Sequence, residues 1–141
     1  WMRSDKQAII MAGGQGTRLR PYTTVFPKAL VPVGDVPILE HLLIKLKHHG
    51  FNRITLSVGH LASLIQAYVG DGRRWGLSID YVMEHTPLGT AGPLLLLKDQ
   101  LPENFLVMNA DVVSDLPFDA LFEQHCQQPA ALATIATYNR K

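Results

Sequence analysis

The chain has 141 residues, one cysteine, a formal net charge of +1 and 47% hydrophobic residues, which suits one domain around a single core. That charge balance excludes a broad electrostatic grip on nucleic acid or an anionic membrane, while leaving room for a local basic pocket. No apolar run approaches the roughly 18–20 residues that span a bilayer, and no signal peptide is expected from the polar stretch Trp1–Gln7. One thiol makes no internal disulfide, so Cys126 fits a reducing, cytoplasmic setting as a small buried hydrophobe on a helix. Trp1 is not a native initiator, and the expectation is a piece cut from a longer gene product.

In chain order, Ala8–Ala12 is a short continuous apolar run closed by Gly13-Gly14, as expected of a strand buried on both faces. From Pro37 a helix follows, with Ile38, Leu39, Leu42, Leu43 and Leu46 on one stripe and Gly50 as its stop. Arg53–Val58 reads as a second strand. Leu61, Leu64, Ile65, Tyr68 and Val69 form another helical stripe, ended by Gly70-Asp71-Gly72. Leu77, Ile79, Tyr81 and Met83 alternate with polar residues, so the third strand is expected to be less completely buried. A helix is predicted over about Ala91–Lys98 with Thr90 as N-cap, then a buried strand at Phe105–Met108. Phe118, Leu121, Phe122 and Cys126 fit one more helix, and Ala130–Tyr138 a fifth strand. The alternation predicts an α/β fold: an open, mainly parallel Rossmann-like sheet with helices on both faces. No covering helix follows the last predicted strand, so the sheet is expected to be truncated at its C-terminal end.

In such a sheet, ligands bind where loops leave the carboxyl ends of strands. The first of these loops is Gly13-Gly14-Gln15-Gly16-Thr17-Arg18-Leu19-Arg20-Pro21, whose glycines let backbone N–H groups approach phosphate oxygens or a base edge. The dinucleotide fingerprint needs a glycine where Leu19 stands, and a P-loop needs Gly-Lys-Ser/Thr; both are rejected. Arg18 lies inside the loop, and Pro27-Lys28 follows in a segment stiffened by Pro21, Pro27 and Pro32. A guanidinium fork and an ammonium on one site suit a polyphosphate. Spacing alone leaves open the alternative that Lys28 is a solvated loop residue.

Phe105–Met108 runs through Asn109-Ala110 into Asp111, which places that carboxylate on the same rim as the glycine loop. Mg²⁺ takes one or two carboxylates plus substrate phosphates, and Asp111 could supply one; an N-cap or turn aspartate is the other reading. Asp115 and Asp119 are weaker candidates, the latter in the first turn of a predicted helix. Glu84-His85-Thr86-Pro87-Leu88-Gly89-Thr90-Ala91-Gly92 reaches the same rim. A carboxylate there accepts paired hydrogen bonds from adjacent donors, which guanine presents at N1 and N2, whereas uracil and thymine offer only N3–H. The six histidines show no metal-ligand spacing: adjacent His48 and His49 point to different sides of their helix as solvated residues, and His60 sits at a strand end where it could touch a ligand, which is the less favoured reading.

Taken as an ordered set, the loop Gly13–Pro21, Pro27-Lys28, Pro32-Val33, Pro37-Ile38-Leu39, Pro87-Leu88-Gly89-Thr90-Ala91-Gly92 and Asn109-Ala110-Asp111 resemble the sugar-phosphate nucleotidylyltransferases. The Pro-Leu-Gly-Thr-Ala-Gly-Pro stretch is most similar to mannose-1-phosphate guanylyltransferases and their bacterial relatives. The resemblance implies attack of a sugar-1-phosphate oxygen on the α-phosphorus of a nucleoside triphosphate, giving a nucleotide-sugar and pyrophosphate. It implies that the backbone around Met11, Ala12, Gly13 and Gly14 holds the nucleoside, with Gly16, Thr17 and Thr90 on the same nucleotide-binding surface. Arg18 would grip the departing pyrophosphate, and Lys28 would neutralise charge between the two phosphates. Asp111 would bind Mg²⁺, Glu84 and Gly89 would read the base, and Asn109 would lie beside the nucleoside.

Two departures stand out. Ala110 occupies a position where the family often has glycine, and family catalytic domains are longer, with a second metal-binding aspartate beyond the end of this chain. Residues 1–141 are therefore expected to be the N-terminal nucleotide-binding portion of the catalytic domain, inactive alone. GTP and mannose-1-phosphate are the favoured substrates. UTP, dTTP or a heptose phosphate are alternatives within the same chemistry, and a non-catalytic nucleotide-sugar-sensing subunit is the alternative outside it. A homo-oligomer and an appended domain are compatible with the family; a nucleic-acid or membrane partner is not expected.

Overall fold

The computed structural model describes residues 5–14 and 26–139. Its centre is a four-stranded parallel sheet in the order β5-β4-β1-β6, formed by β1 (Lys6–Ala12), β4 (Phe51–Val58), β5 (Ser78–Met83) and β6 (Leu106–Asn109). A small antiparallel pair, β2 (Pro32–Val33) and β3 (Val36–Pro37), precedes α1 (Ile38–His48). The other α-helices among the described residues are α2 (Ala62–Val69), α3 (Pro93–Leu96) and α4 (Phe118–Cys126). This is the mainly parallel sheet with helices that the alternation of apolar runs and helical stripes predicts.

β1 is central, and Ala8, Ile9 and Ile10 are completely buried; a strand paired on both edges and covered on both faces has no solvent side on which to place polar residues. Register and pleat separate the two faces. Ala8 pairs with Ile54, Ile10 with Leu56 and Ala12 with Val58; all but the half-buried Ala12, which packs against them, join Leu39, Leu43, Leu46 and Ile65 in the main core. The alternate rows run Ile9–Thr55–Asp80 and Met11–Ser57–Val82, with Asn109 beside Met11 on the other flank. Side chains alternate along a strand, so Met11, Ser57 and Asn109 share the opposite face. Polar groups buried in the sheet are paired: Gln7 Nε2 donates to Thr55 Oγ1 at 3.1 Å.

Several elements differ from the sequence reading. Leu61 adopts a left-handed conformation (φ 56°) ahead of α2, so the stripe rotates onto Ala62, Ile65 and Val69 and leaves Leu64 exposed. The helix predicted over Ala91–Lys98 contracts to Pro93–Leu96, capped by Gly92 rather than Thr90. Its flanking bonds are the tighter three-residue type (Leu97 N to Leu94 O, 3.1 Å; Gln100 N to Leu97 O, 2.8 Å), and the leucine run has no polar stripe to alternate with a buried one. Ala130–Tyr138 is not a strand: described residues through 139 there are irregular, and Leu132, Ile135 and Tyr138 are exposed. A strand exists only through a pairing partner, and no described strand edge pairs with this segment. Cys126 is exposed, because α4 packs through Phe118 and Phe122 and the cysteine lies a turn past that contact.

Candidate active site

Because the four strands are parallel and in register, their carboxyl ends meet on one rim: Met11 and Ala12, Ser57 and Val58, Val82 and Met83, Met108 and Asn109. The chain runs from β1 outward to β4 and β5, then returns to place β6 on the other side of β1. The crevice between the ends of β1 and β6 lies at this reversal, where open α/β sheets place ligands.

A cavity of about 530 Å³ occupies the rim. Met11, Ala12, Gly13 and Gly14 from the end of β1 line it, with Lys28. Glu84, Gly89 and Thr90 enter from the loop after β5, and Asn109 and Asp111 from the end of β6. Gly16, Thr17 and Arg18 lie outside the described residues. Pro87, Leu88, Pro93 and Ala29 also line the cavity, though no polar signal in the sequence marks them. His60 does not line it.

At one end of the cavity Lys28 Nζ lies 2.7 Å from Asp111 Oδ2, with both side chains roughly two-fifths exposed. Lys28 comes from a short 3-10 turn, Lys28–Leu30, anchored by buried Ala29 and Leu30. The hydrogen bond and charge of Lys28 hold the Asp111 carboxyl below the usual carboxylate range, against the opposing effect of partial burial. Ala110 continues the sheet here: its N–H donates to Met11 O at 3.1 Å and its side chain is buried. Asp119 belongs to another place, 2.8 Å from Nδ1 of His49; His49, which also packs edge-on against Phe118, is mostly covered rather than solvated, at 17% side-chain exposure.

At the other end, Glu84 is held from several sides. Its N–H donates to Val58 O at 2.8 Å, which extends the β4–β5 ladder by one residue. Oε2 accepts a hydrogen bond from Ser57 Oγ at 3.1 Å, and the Leu88 N–H lies 3.4 Å from Oε1. Gly13 leaves room for this placement of the carboxylate: a Cβ there would stand 1.9 Å from Glu84 Oε2, so the carboxylate would have to shift. Ser57, fully buried on β4, was missed by sequence reasoning; its only signal is a hydroxyl within an otherwise apolar strand end.

For a divalent cation, Asp111 offers carboxylate oxygen beside a space open to phosphate, which fits the one-carboxylate mode of Mg²⁺. Among the described residues no cluster of three or more His, Cys, Asp or Glu could hold a metal by itself. Likewise, no described helix is long and apolar enough to cross a membrane.

Residues 7–141 match the nucleotidyl transferase family. The chain is 40% identical over 125 residues to the mannose-1-phosphate guanylyltransferase catalytic subunit beta of Danio rerio, covering 86% of this chain and 35% of that protein. It is 36% identical over 143 residues to a UTP–glucose-1-phosphate uridylyltransferase of Synechocystis, covering 93% and 37% respectively. The structure of HddC from Yersinia pseudotuberculosis complexed with GMP-PN superposes with a TM-score of 0.75 at 30% identity, covering 84% of this chain and 53% of that one. The chain thus spans a little over a third of the length of these two curated relatives. Motif order, parallel-sheet topology and these similarities converge, and the chain belongs to the nucleotidyl transferase family.

Proposed function

We propose that this chain is the nucleotide-binding portion of an enzyme that transfers a nucleotidyl group from a nucleoside triphosphate to a sugar-1-phosphate, with GTP and mannose-1-phosphate as the favoured pair. The observation that carries this reading is the single cavity in which the Gly13-Gly14 backbone, Lys28, Glu84 and Asp111 meet. A guanine with adjacent N1 and N2 donors suits the acceptor carboxylate of Glu84 at one end. The Gly13-Gly14 backbone, with Gly13 against Glu84, would hold the nucleoside on that side, and a triphosphate suits the Lys28 cation at the other end.

The chemistry demands positioning more than base catalysis. A sugar-1-phosphate oxygen already carries negative charge near neutral pH; it bonds to the α-phosphorus as the bond to the β-phosphate oxygen breaks and pyrophosphate leaves with the electron pair. The obstacle is the approach of two anions in line. Lys28 would sit between them and neutralise both, and Asp111 would hold Mg²⁺. When bound, that ion supplies charge neutralisation on the phosphates. Arg18 would take the departing pyrophosphate, and Asn109, Gly89 and Thr90 would line the nucleoside. A cytoplasmic enzyme with small-molecule partners follows from this reading.

The test is pyrophosphate release by the native-length protein with Mg²⁺, across GTP, UTP and dTTP against mannose-, glucose- and heptose-1-phosphates. One productive pair, lost in Asp111→Asn, supports the proposal and names the substrates. Silence across the matrix from folded, nucleotide-binding protein overturns it in favour of a sensing subunit.

A further inference from the structure

Ser57 is completely buried on β4, yet its hydroxyl is spent on a side chain of the loop after β5, 27 residues away, Oγ donating to Glu84 Oε2 at 3.1 Å. Its register partner Met11 lines the cavity, and Asn109, on the far side of Met11, lines it too. Ser57 therefore stands in the row that faces the ligand space. The second carboxylate oxygen faces the Leu88 N–H at 3.4 Å, a group that can only donate. Gly13 leaves the volume into which Oε2 fits.

A glutamate carboxylate otherwise turns broadly about its last torsion. Here one oxygen is tied to a strand and the other faces a loop N–H, so the plane of the group is set by protein atoms. Both oxygens act as acceptors toward the protein, and their remaining lone pairs suit only donors.

We propose that Ser57 is a positioning residue for base selection: through its hydrogen bond to Glu84 it orients the carboxylate to accept from two adjacent N–H donors of a purine edge, as guanine presents. This inference rests on the reading of Glu84 as the base-contacting group. Ser57 itself touches no substrate. Without its hydroxyl the carboxylate is free to rotate, and a paired contact falls to a single one.

Hypoxanthine keeps N1–H and lacks the N2 amino group, so the ratio of GTP to ITP affinity reports the second hydrogen bond alone. Dissociation constants of GTP and ITP, each with Mg²⁺, are measured by titration calorimetry on the native-length protein and its Ser57→Ala, Ser57→Thr and Glu84→Gln variants. The unaltered protein is expected to prefer GTP by about tenfold or more, the usual scale for a hydrogen bond to a charged group. Ser57→Ala lowers that ratio to within about threefold, with ITP affinity little changed, and Ser57→Thr, which retains the hydroxyl, restores it. A merely structural role for Ser57 weakens both nucleotides equally and leaves the ratio intact; that result overturns the proposal. Glu84→Gln separates the two levels of inference. If it removes the GTP preference while Ser57→Ala keeps it, only the role of Ser57 is wrong. If Glu84→Gln keeps the preference, Glu84 does not read the base and both readings fail.

Discussion

Lys28 Nζ and Asp111 Oδ2 lie 2.7 Å apart at one end of the cavity, joining the 3-10 turn before β2 to the loop after β6. The proposed cation for phosphate and the proposed ligand for metal are thus in direct contact at a single site. Two opposite charges held at one site need little rearrangement to meet a phosphate and its counterion.

Lys28→Ala is expected to lower kcat by about 10²–10³-fold, the usual scale for removing one preorganised charge donor, while changing nucleotide affinity by much less. Steady-state kinetics alongside equilibrium nucleotide binding make the comparison. Unchanged turnover would remove Lys28 from the mechanism.

The same pair has a titration signature. Lys28 holds the Asp111 carboxyl below its ordinary range, so Lys28→Met should raise the Asp111 pKa toward the unperturbed value. The sign follows from linkage. A carboxyl depressed in the folded state stabilises above its unfolded pKa, and that contribution is lost as pH falls through the folded value. Side-chain carboxyl NMR between about pH 2 and 6 reads the shift directly. Both groups are well exposed, so the effect on overall stability should be small.

Gly13 and Gly89 offer a contrast between space and backbone conformation. Gly13→Ala places a methyl 1.9 Å from Glu84 Oε2 and should push the carboxylate away, weakening GTP by about tenfold or more. The far end of a flexible side chain can move, so the thermal midpoint should change little. Gly89 has φ +75° with open space around its Cβ position; Gly89→Ala strains the backbone by roughly 1–2 kcal/mol without any clash. Thermal melts paired with nucleotide titration distinguish the two outcomes.

Far from the cavity, His49 at the end of α1 and Asp119 in the first turn of α4 lie 2.8 Å apart. The Ala120 N–H, then His49, hold the Asp119 carboxyl below its usual range. Its contribution is present above the unfolded pKa and fades as pH drops through the folded one. Asp119→Asn should therefore flatten the fall of the melting temperature between about pH 5 and 2 and leave nucleotide binding unchanged. A melting curve as steep in the variant as in the parent would show that the contact contributes nothing.

Local pattern was enough to mark β1, α1 and β4. Their apolar runs and stripes are each long enough to distinguish continuous burial from helical periodicity, and Leu39, Leu42, Leu43 and Leu46 are buried as the 3.6-residue stripe requires. It was also enough to put the Gly13 loop, the Glu84 loop and Asp111 at strand ends, because a strand's carboxyl end is readable without knowing its neighbours. Pairing was not readable. That β1 lies between β4 and β6 decides that these loops share one cavity, and this depends on contacts distant in sequence. Ala130–Tyr138 has strand-like composition and no described partner; Cys126 has helical spacing and lies past the packed face. Ser57 reaches Glu84 only because β4 and β5 pair in parallel, with Ser57 opposite Val82 and Glu84 just past the strand end. Periodicity specifies which face of an element is apolar; register and strand order, set by the sum of long-range packing, specify which polar groups meet.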